Sequence, residues 1–253
     1  MGHAGPAGAA AAPPHRRRRG RAEAPPGEPP PPAHWAGLDD LFRHVPLGED
    51  SKRRLFEEMN RPGRLYHGVN HIAQLWRRHR RFAAEAGLDD PDIDRLMACT
   101  IAWHDSVYDP LRGDNEERSA GVWLDASKAG DLSAEDREWV AETIRATKNH
   151  LAYRPNGRLR AERSKQRERA RQWMLDLDLS TLGDPPKVFE ANTRQLRSEF
   201  AHQSDKQWME KLRGFYSQLL HAPRIYRTPS LATRYEAQAR RNLTAAMARD
   251  CQG

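Results

Sequence analysis

The run Pro91-Asp-Ile-Asp-Arg-Leu-Met-Ala-Cys-Thr-Ile-Ala-Trp-His-Asp-Ser-Val-Tyr-Asp-Pro110 has the pattern of a buried helix that ends on two polar residues. Proline is favoured at the first helical position, and apolar residues recur at helical spacing from Ile93 to Ile101. His104 and Asp105 follow directly. Adjacent helical side chains point about 100° apart, so two neighbours seldom reach one target, but a helix end can turn both toward a metal ion. The run therefore predicts a helix with a metal site at its C-terminal end.

Helical periodicity continues on both sides of this run, and strand signals are scarce. Further helices are expected near Leu41–Val45, at 50–60, from Ile72 to about Gly87, at 114–129, from Ser133 to about Lys148, into Leu177-Asp-Leu179, from Pro185-Pro186 to Phe200, at 205–221 and at 229–249. Ser133 and Asp136 resemble a capping box. The pattern predicts an all-α fold, a single helical bundle over residues 35–253.

The first 34 residues differ from the rest in composition. They are rich in alanine, proline, glycine and arginine, and they contribute +3 of the formal net charge of +7. Such a segment buries too little apolar surface to offset its ordering entropy, so residues 1–34 are expected to form a disordered tail. The run from His15 to Arg21 could contact nucleic acid or anionic lipid. The remaining domain is only mildly basic, which is compatible with phosphate esters without specifying them.

Two cysteines, Cys99 and Cys251, suggest no disulfide framework. Cys99 lies in an apolar run and is expected to be a buried thiol, and a reduced cytoplasmic protein is the expected setting. No run of 18 apolar residues occurs, so no membrane span and no membrane partner are expected. The oligomeric state is left open.

Four segments place unusual polar residues beside apolar helix faces. They are Arg64–Ile72, which contains His67 and His71 four residues apart, the pair His104-Asp105, the segment Ala146–His150, and Leu175-Asp-Leu-Asp-Leu-Ser180. A lone histidine on an apolar face is more often a satisfied core residue, Lys148 and His150 could be ordinary cations at a helix C-terminus, and Asp176 or Asp178 alone could lie at the surface. Together, however, they give His, then His-Asp, then Asp on three separate predicted helices.

That order resembles the HD superfamily of metal-dependent phosphohydrolases. The resemblance extends over about residues 35–247 and rests on several strings: Tyr66-His67-x-x-x-His71-Ile72, Trp103-His104-Asp105-x-Val107-Tyr108-Asp109-Pro110, Asp114-Asn-Glu-Glu-Arg-Ser-Ala120, Ala146-Thr-Lys-x-His150, Leu175-Asp-x-Asp178-Leu-Ser-x-Leu-Gly183, and Arg224-Ile-Tyr-Arg-Thr-Pro229 followed by Glu236 and Ala239-Arg-Arg-Asn-Leu243. The set is specific for the family and says little about the substrate.

The resemblance implies one divalent transition metal, either Mn, Fe, Ni, Co or Zn, since mixed imidazole and carboxylate ligands suit these ions. Its implied ligands are His71, His104, Asp105 and Asp178. Asp178 is preferred to Asp176 because the superfamily places its last aspartate just before a leucine-containing turn. His150 could complete a second metal site.

Other residues receive roles in catalysis. The spacing of His67 and His71 is similar to that in cyclic-nucleotide phosphodiesterases, which implies that His67 is the general acid. Those enzymes have asparagine after the first histidine, whereas Gly68 follows here, and His67 could instead orient His71 or cap a helix. Further candidates are Arg64, Lys148 and His150 for substrate binding, Lys148 also for offsetting charge during the reaction, and Glu116 or Glu117 for orienting a ligand or the water, although a surface salt bridge suits either glutamate equally.

The expected function is hydrolysis of a phosphate ester by a metal-activated water, with a nucleotide or related small phosphorylated metabolite as substrate. The alternative is an HD module that binds metal and nucleotide with a regulatory or partner-binding role and little turnover. A third hypothesis is association with nucleic acid, which is expected only through the arginine-rich tail.

Overall fold

The helix beginning at Pro91 is the centre of the structure. The computed structural model describes Met1, Trp35, residues 37–155 and residues 157–249. In it this helix, α4, covers Pro91–Trp103, and ten of its thirteen residues are buried. The Asp90 side chain caps it by accepting from the Asp92 and Ile93 amides. A helix that is apolar on nearly all sides is enclosed by others, and α4 packs against five neighbours, α1, α3, α5, α6 and α7, defined below.

The remaining elements are also helical, and no strand occurs in the described part of the chain. The α-helices are α1 Asp39–His44, α2 Glu49–Met59, α3 Val69–Phe82, α4 Pro91–Trp103, α5 Asn115–Ala126, α6 Ala134–Ala146, α7 Glu162–Leu179, α8 Pro186–Glu199, α9 Asp205–His221, α10 Pro229–Leu231 and α11 Ala237–Arg249. Short 3-10 helices cover Ala84–Ala86, Ser127–Ala129, Thr147–Asn149 and Ser180–Gly183, and a π-helical segment, Ala232–Glu236, joins α10 to α11. The predicted all-α fold is confirmed.

The C-terminal end of α3 differs from the prediction, because the chain changes there from an α-helix to a tighter 3-10 turn. α3 ends at Phe82 rather than near Gly87, because a 3-10 turn follows and Gly87 takes a left-handed φ of 67°. Ser133 does cap α6, accepting from the Asp136 amide at 3.0 Å. The Asp136 carboxylate, however, pairs with the buried Arg167 on α7 instead of returning to Ser133. The cap therefore also ties α6 to α7.

The C-terminal helices close over the end of α7. α11 and the π-helical segment pack on the 3-10 turn Ser180–Gly183. Gly183 is required there, since a Cβ atom would lie 2.6 Å from the Tyr235 Cβ atom and 2.8 Å from the Tyr235 carbonyl oxygen. This contact fixes the turn that directly follows Asp178.

Cys99 is fully buried and free, as predicted. None of the described helices is both long enough and apolar enough to cross a bilayer. The predicted disordered tail and its arginine run lie outside the described residues apart from Met1, so the tail and the domain boundary at residue 34 stay predictions.

Candidate metal centre

Three helix ends converge on one point in the core. His71 lies in the first turns of α3, His104 follows the last residue of α4, and Asp178 lies in the last turn of α7. One ligand atom from each residue lies within 4.8 Å of the other two. The His71 Nε2 atom is 3.1 Å from the Asp178 Oδ1 atom, and the His104 Nε2 atom is 3.6 Å from it. These three residues, called the metal cluster below, could hold a metal ion.

Asp105 lies at the edge of the metal cluster. Its Oδ2 atom is 3.0 Å from the His104 Nε2 atom and 3.8 Å from the His71 Nε2 atom. Because His104 and Asp105 follow the last turn of α4, both side chains reach the same region although they are neighbours in sequence. The structure therefore brings together all four residues that the resemblance implies as ligands.

The hydrogen bonding of His104 supports a cation in this position. Its Nδ1 atom lies 3.0 Å from the Ile101 carbonyl oxygen, which can only accept, so the Nδ1–H donates to it. The Nε2 atom is buried and faces the carboxylates of Asp105 and Asp178, at 3.0 and 3.6 Å, without a well-directed hydrogen bond to any described residue. Buried polar atoms are normally satisfied, and a metal ion would satisfy a lone pair on Nε2.

A second buried histidine shows what an ordinary core histidine looks like here. His79 on α3 is fully buried, like His104. Both of its ring nitrogens have partners, since Nδ1 accepts from the Trp173 indole at 3.1 Å and Nε2 lies 2.8 Å from an Asp94 carboxylate oxygen. The contrast separates His104 from the satisfied histidines of the core.

The histidines and carboxylates of the metal cluster shift one another's pKa values. Burial alone lowers the pKa of His104, but the carboxylates of Asp105 and Asp178 outweigh burial and hold that pKa well above its ordinary value. Burial alone raises the pKa of Asp178, but hydrogen bonds from the surrounding histidines hold it well below the ordinary value. A buried group of anions needs a positive charge, which is a proton on His104 or a bound cation.

Asp176 and Asp178 are distinguished by their contacts. The Asp176 carboxylate is fully buried and accepts from the Thr228 amide and hydroxyl, both at 2.6 Å. Burial raises the pKa of Asp176. Asp178 instead points its two oxygens at histidines, His71 at 3.1 Å and His150 at 2.8 Å. Asp176 is therefore a structural residue, and Asp178 is the aspartate that could bind a metal.

The His150 Nε2 atom lies 2.8 Å from the Oδ2 atom of Asp178, the outer oxygen, which does not face His71. His150 follows the 3-10 turn after α6, and Arg227 donates to its backbone carbonyl. His150 lies beside the metal cluster as part of a small cavity wall.

His67 forms a dyad with a residue that the sequence analysis missed. The His67 Nδ1 atom lies 2.7 Å from the Glu199 Oε2 atom, and the other oxygen of Glu199 accepts three consecutive amides, those of Leu65, Tyr66 and His67, at 2.7–3.0 Å. The Glu199 side chain is completely buried. Burial alone lowers the pKa of His67, but the bond to Glu199 and the nearby carboxylates raise it overall. Glu199 thus fixes both the position and the charge of His67.

Two further residues hold His67 from other sides. The Tyr108 ring stacks on it with centroids 4.1 Å apart and an angle of 26°. The Arg64 guanidinium donates to the carbonyl oxygens of His67 at 3.1 Å and Asp105 at 2.7 Å. Arg64 was expected to bind substrate, but all its hydrogen bonds are to backbone oxygens and the Met59 sulfur. It supports the loops that carry His67 and Asp105.

Three other predicted residues make no hydrogen bond or ion pair with the metal cluster in the described structure. Lys148 is exposed and donates to the Gly113 carbonyl at 2.7 Å. Glu117 forms a surface ion pair with Arg145 at 3.0 Å. Glu116 is half-buried without a hydrogen bond or ion pair to a described residue. Of the two alternatives given for Glu117, the structure matches the surface salt bridge.

A cavity of about 180 Å³ opens beside the metal cluster. His67, His150 and Asp178 line one side of it. Its other walls are mainly apolar side chains from α8, α9 and the turn after α7: Leu182, Phe189, Leu196, Leu212, Phe215 and Tyr216. A cavity of about 150 Å³ can hold benzene, so this one has room for about one ring next to the polar groups.

Comparison with protein-family models, with curated proteins and with solved structures finds no match to this chain. The likeness to the HD superfamily therefore rests on the motifs quoted above.

Proposed function

We propose that this protein is a metal-dependent phosphohydrolase that cleaves a phosphate ester, either a nucleotide or a related small phosphorylated metabolite. One observation carries the proposal: the buried Nε2 atom of His104 lies 3.0 Å from an Asp105 oxygen and 3.6 Å from an Asp178 oxygen, and the His71 Nε2 atom lies 3.1 Å from the same Asp178 oxygen. A polar arrangement of this kind is costly to bury unless it serves a ligand. The open cavity on the same side gives a substrate access to Asp178.

His71, His104 and Asp178, with Asp105 beside them, would hold one divalent ion, for which Mn, Fe, Ni, Co and Zn are the candidates. Such an ion lowers the pKa of water and polarises a phosphoryl oxygen when bound. His150 positions Asp178 through the bond to its outer oxygen. The apolar walls exclude water from the organic part of the ester.

His67 is the proposed general acid. The bond to Glu199 and the nearby carboxylates raise the pKa of His67, which favours the protonated ring, and Glu199 accepts the Nδ1–H. In the protonated ring the other nitrogen also carries a hydrogen, and His67 lines the cavity in which the leaving oxygen would lie. Proton donation by a positioned histidine contributes about 10²–10⁴-fold to a rate.

The test is turnover by the purified full-length protein. It is stripped with EDTA, reloaded separately with each of the five candidate metals, and screened against phosphate monoesters, nucleotides and cyclic nucleotides. We expect phosphate release with at least one metal, and we expect His67→Gln to reduce kcat by about 10²-fold or more. Lys128→Gln, a surface change far from the metal cluster in sequence, serves as the matched preparation control.

A metal-loaded protein that releases no phosphate from any substrate would contradict the hydrolase proposal. The module that binds metal and nucleotide with little turnover would then be the better description. Equal activity in wild type and His67→Gln would instead reject His67 as the acid.

A further inference from the structure

A second and larger cavity lies on the other side of the residues that hold His67. Its volume is about 900 Å³, within the range of small-molecule sites. It is bounded by α2, the loop before α3, the segment after α4, α5 and the end of α8. Arg64, Tyr108 and Glu199 form part of its wall, but none of the four candidate metal ligands does. It is therefore a separate space from the cavity beside the metal cluster.

The wall of this cavity carries four arginines and four carboxylates, and two of the exposed arginines have no carboxylate partner in the described part of the chain. Arg54 and Arg118 line it, both are exposed, and neither forms an ion pair with any described residue. Three of the carboxylates on the wall already have cationic partners: Glu58 with Arg61, Asp125 with Lys128, and Glu199 with His67. The Asp109 carboxylate accepts from the Leu111 amide. Free guanidinium groups at a cavity mouth favour oxyanions.

A buried hydroxyl on the wall lacks a partner. Ser106 is 4% exposed, and its Oγ atom has no hydrogen bond within the described structure. Such groups are rare in native proteins, because leaving a buried donor unsatisfied costs about 1–3 kcal/mol. A bound acceptor oxygen would satisfy this hydroxyl.

Apolar side chains complete the wall. Val107 and Val122 line the cavity, and Val122 is 44% exposed. A ligand that fits therefore carries oxyanions at one end and an apolar or ring-shaped body at the other.

We propose that this cavity binds a small organic phosphate, with its phosphoryl groups on Arg54, Arg118 and the Ser106 hydroxyl and its body against Val107 and Val122. The site is distinct from the proposed hydrolytic centre and requires neither metal nor turnover. Tyr108 and Arg64 contact both this cavity and His67. Occupation of the cavity therefore restricts the residues that position the proposed acid.

The experiment measures pyrophosphate binding by isothermal titration calorimetry, using the full-length protein in EDTA so that no metal contributes. The double variant Arg54→Gln/Arg118→Gln is expected to weaken binding about tenfold or more. The control is Lys187→Gln/Lys206→Gln, which removes the same charge from exposed positions outside this cavity. The arginines of residues 16–21 remain in every variant, so they contribute equally throughout.

The variant Ser106→Ala tests the proposed site independently of the two arginines. Because the Ser106 hydroxyl has no partner in the protein, its removal is expected to leave the melting temperature unchanged while weakening pyrophosphate binding severalfold. ADP is expected to bind more tightly than pyrophosphate, since its base can contact Val107 and Val122.

Three results would overturn the proposal. Pyrophosphate affinity that is equal in wild type and the Arg54/Arg118 variant would reject the anion site. Absence of binding in the millimolar range would do the same. ADP affinity that is unchanged in the Arg54→Gln/Arg118→Gln variant would reject an organic phosphate as the ligand of this cavity. Each outcome is independent of whether the protein hydrolyses anything.

Discussion

Asp176 and Asp178 are separated by a single residue on α7, but their side chains have different partners. Asp176 binds the Thr228 backbone, and Asp178 binds histidines. We expect Asp178→Asn to weaken Mn²⁺ or Zn²⁺ binding by more than about 100-fold, since loss of even an outer partner of a metal ligand costs about 10–100-fold. Asp176→Asn is expected to retain the metal but lose about 1 kcal/mol of stability. Metal titration and urea denaturation of both variants distinguish the two roles, and metal loss in Asp176→Asn alone would reverse the assignment.

Glu199 and His67 make stability depend on pH. The folded state raises the pKa of His67 above 6.5, so its contribution is complete below that pH and is lost as the pH rises through the raised value. The folded state lowers the pKa of Glu199 below 4.5, so its contribution is present above that pH and is lost as the pH falls. Between these limits both groups are charged.

Glu199→Gln is therefore expected to destabilise the protein most between about pH 4.5 and 6.5, by about 1–3 kcal/mol, and less on either side. Urea denaturation of wild type and variant across this range measures the difference. Glu210→Gln, at an exposed position of helix α9, gives a surface comparison. A difference that is flat with pH would show that the amide contacts of Glu199, rather than its charge pair with His67, dominate.

At the scale of the elements, the turn Ser180–Gly183 couples the C-terminal helices to the metal cluster. Because a Cβ atom at Gly183 would overlap Tyr235, Gly183→Ala is expected to destabilise by about 1–3 kcal/mol. Gly214, inside α9, has open space around the Cβ position, so Gly214→Ala is expected to stabilise by about 0.4–1 kcal/mol. Thermal unfolding should give a lower melting temperature for Gly183→Ala and a higher one for Gly214→Ala than for the wild type. A Gly183→Ala protein as stable as the wild type would show that the turn can shift.

Most helices could be predicted because their signals are local. Pro91 and Ser133 mark helix starts in the sequence, and both elements begin where predicted. The π-helical segment Ala232–Glu236 was not predicted, because the periodicity over 229–249 is that of one continuous helix. Tyr235 in this segment packs on Gly183, and no local sequence pattern contains that contact.

At the scale of the whole molecule, metal binding should be linked to folding and pH. Without metal, the raised pKa of His104 keeps a proton in the cluster, and a bound ion must displace that proton. We expect Mn²⁺ or Zn²⁺ at about 100 times its Kd to add about 2.7 kcal/mol to stability, with a larger rise in melting temperature near pH 8 than near pH 6. Asp178→Asn should show no rise, and a pH-independent rise in wild type would contradict displacement of the proton.

The candidate site was predictable only in part, for a reason that concerns the whole chain. His71, His104, Asp105 and Asp178 stand in recognisable motifs, and the structure brings them together. Glu199 could not be found, because it meets His67 across 132 residues and stands in no motif. Lys148 was predicted as a functional cation from the motif Ala146-Thr-Lys-x-His150, but its side chain donates to the Gly113 carbonyl. Contacts of this kind depend on how the helices are arranged in space, which local sequence patterns do not contain.

Residues 226–228 determine when, during protein synthesis, the metal cluster can reach its final arrangement. The Tyr226 hydroxyl donates to the Leu179 carbonyl at 3.0 Å, Arg227 donates to the His150 carbonyl, and Thr228 donates to the Oδ2 atom of Asp176. These contacts hold the end of α7 and His150 around Asp178. During translation, all four candidate ligands leave the ribosome well before residues 226–228 do. A nascent chain would therefore carry the candidate ligands before their final arrangement forms, and a metal ion that binds them would enter only after residues 226–228 have been made.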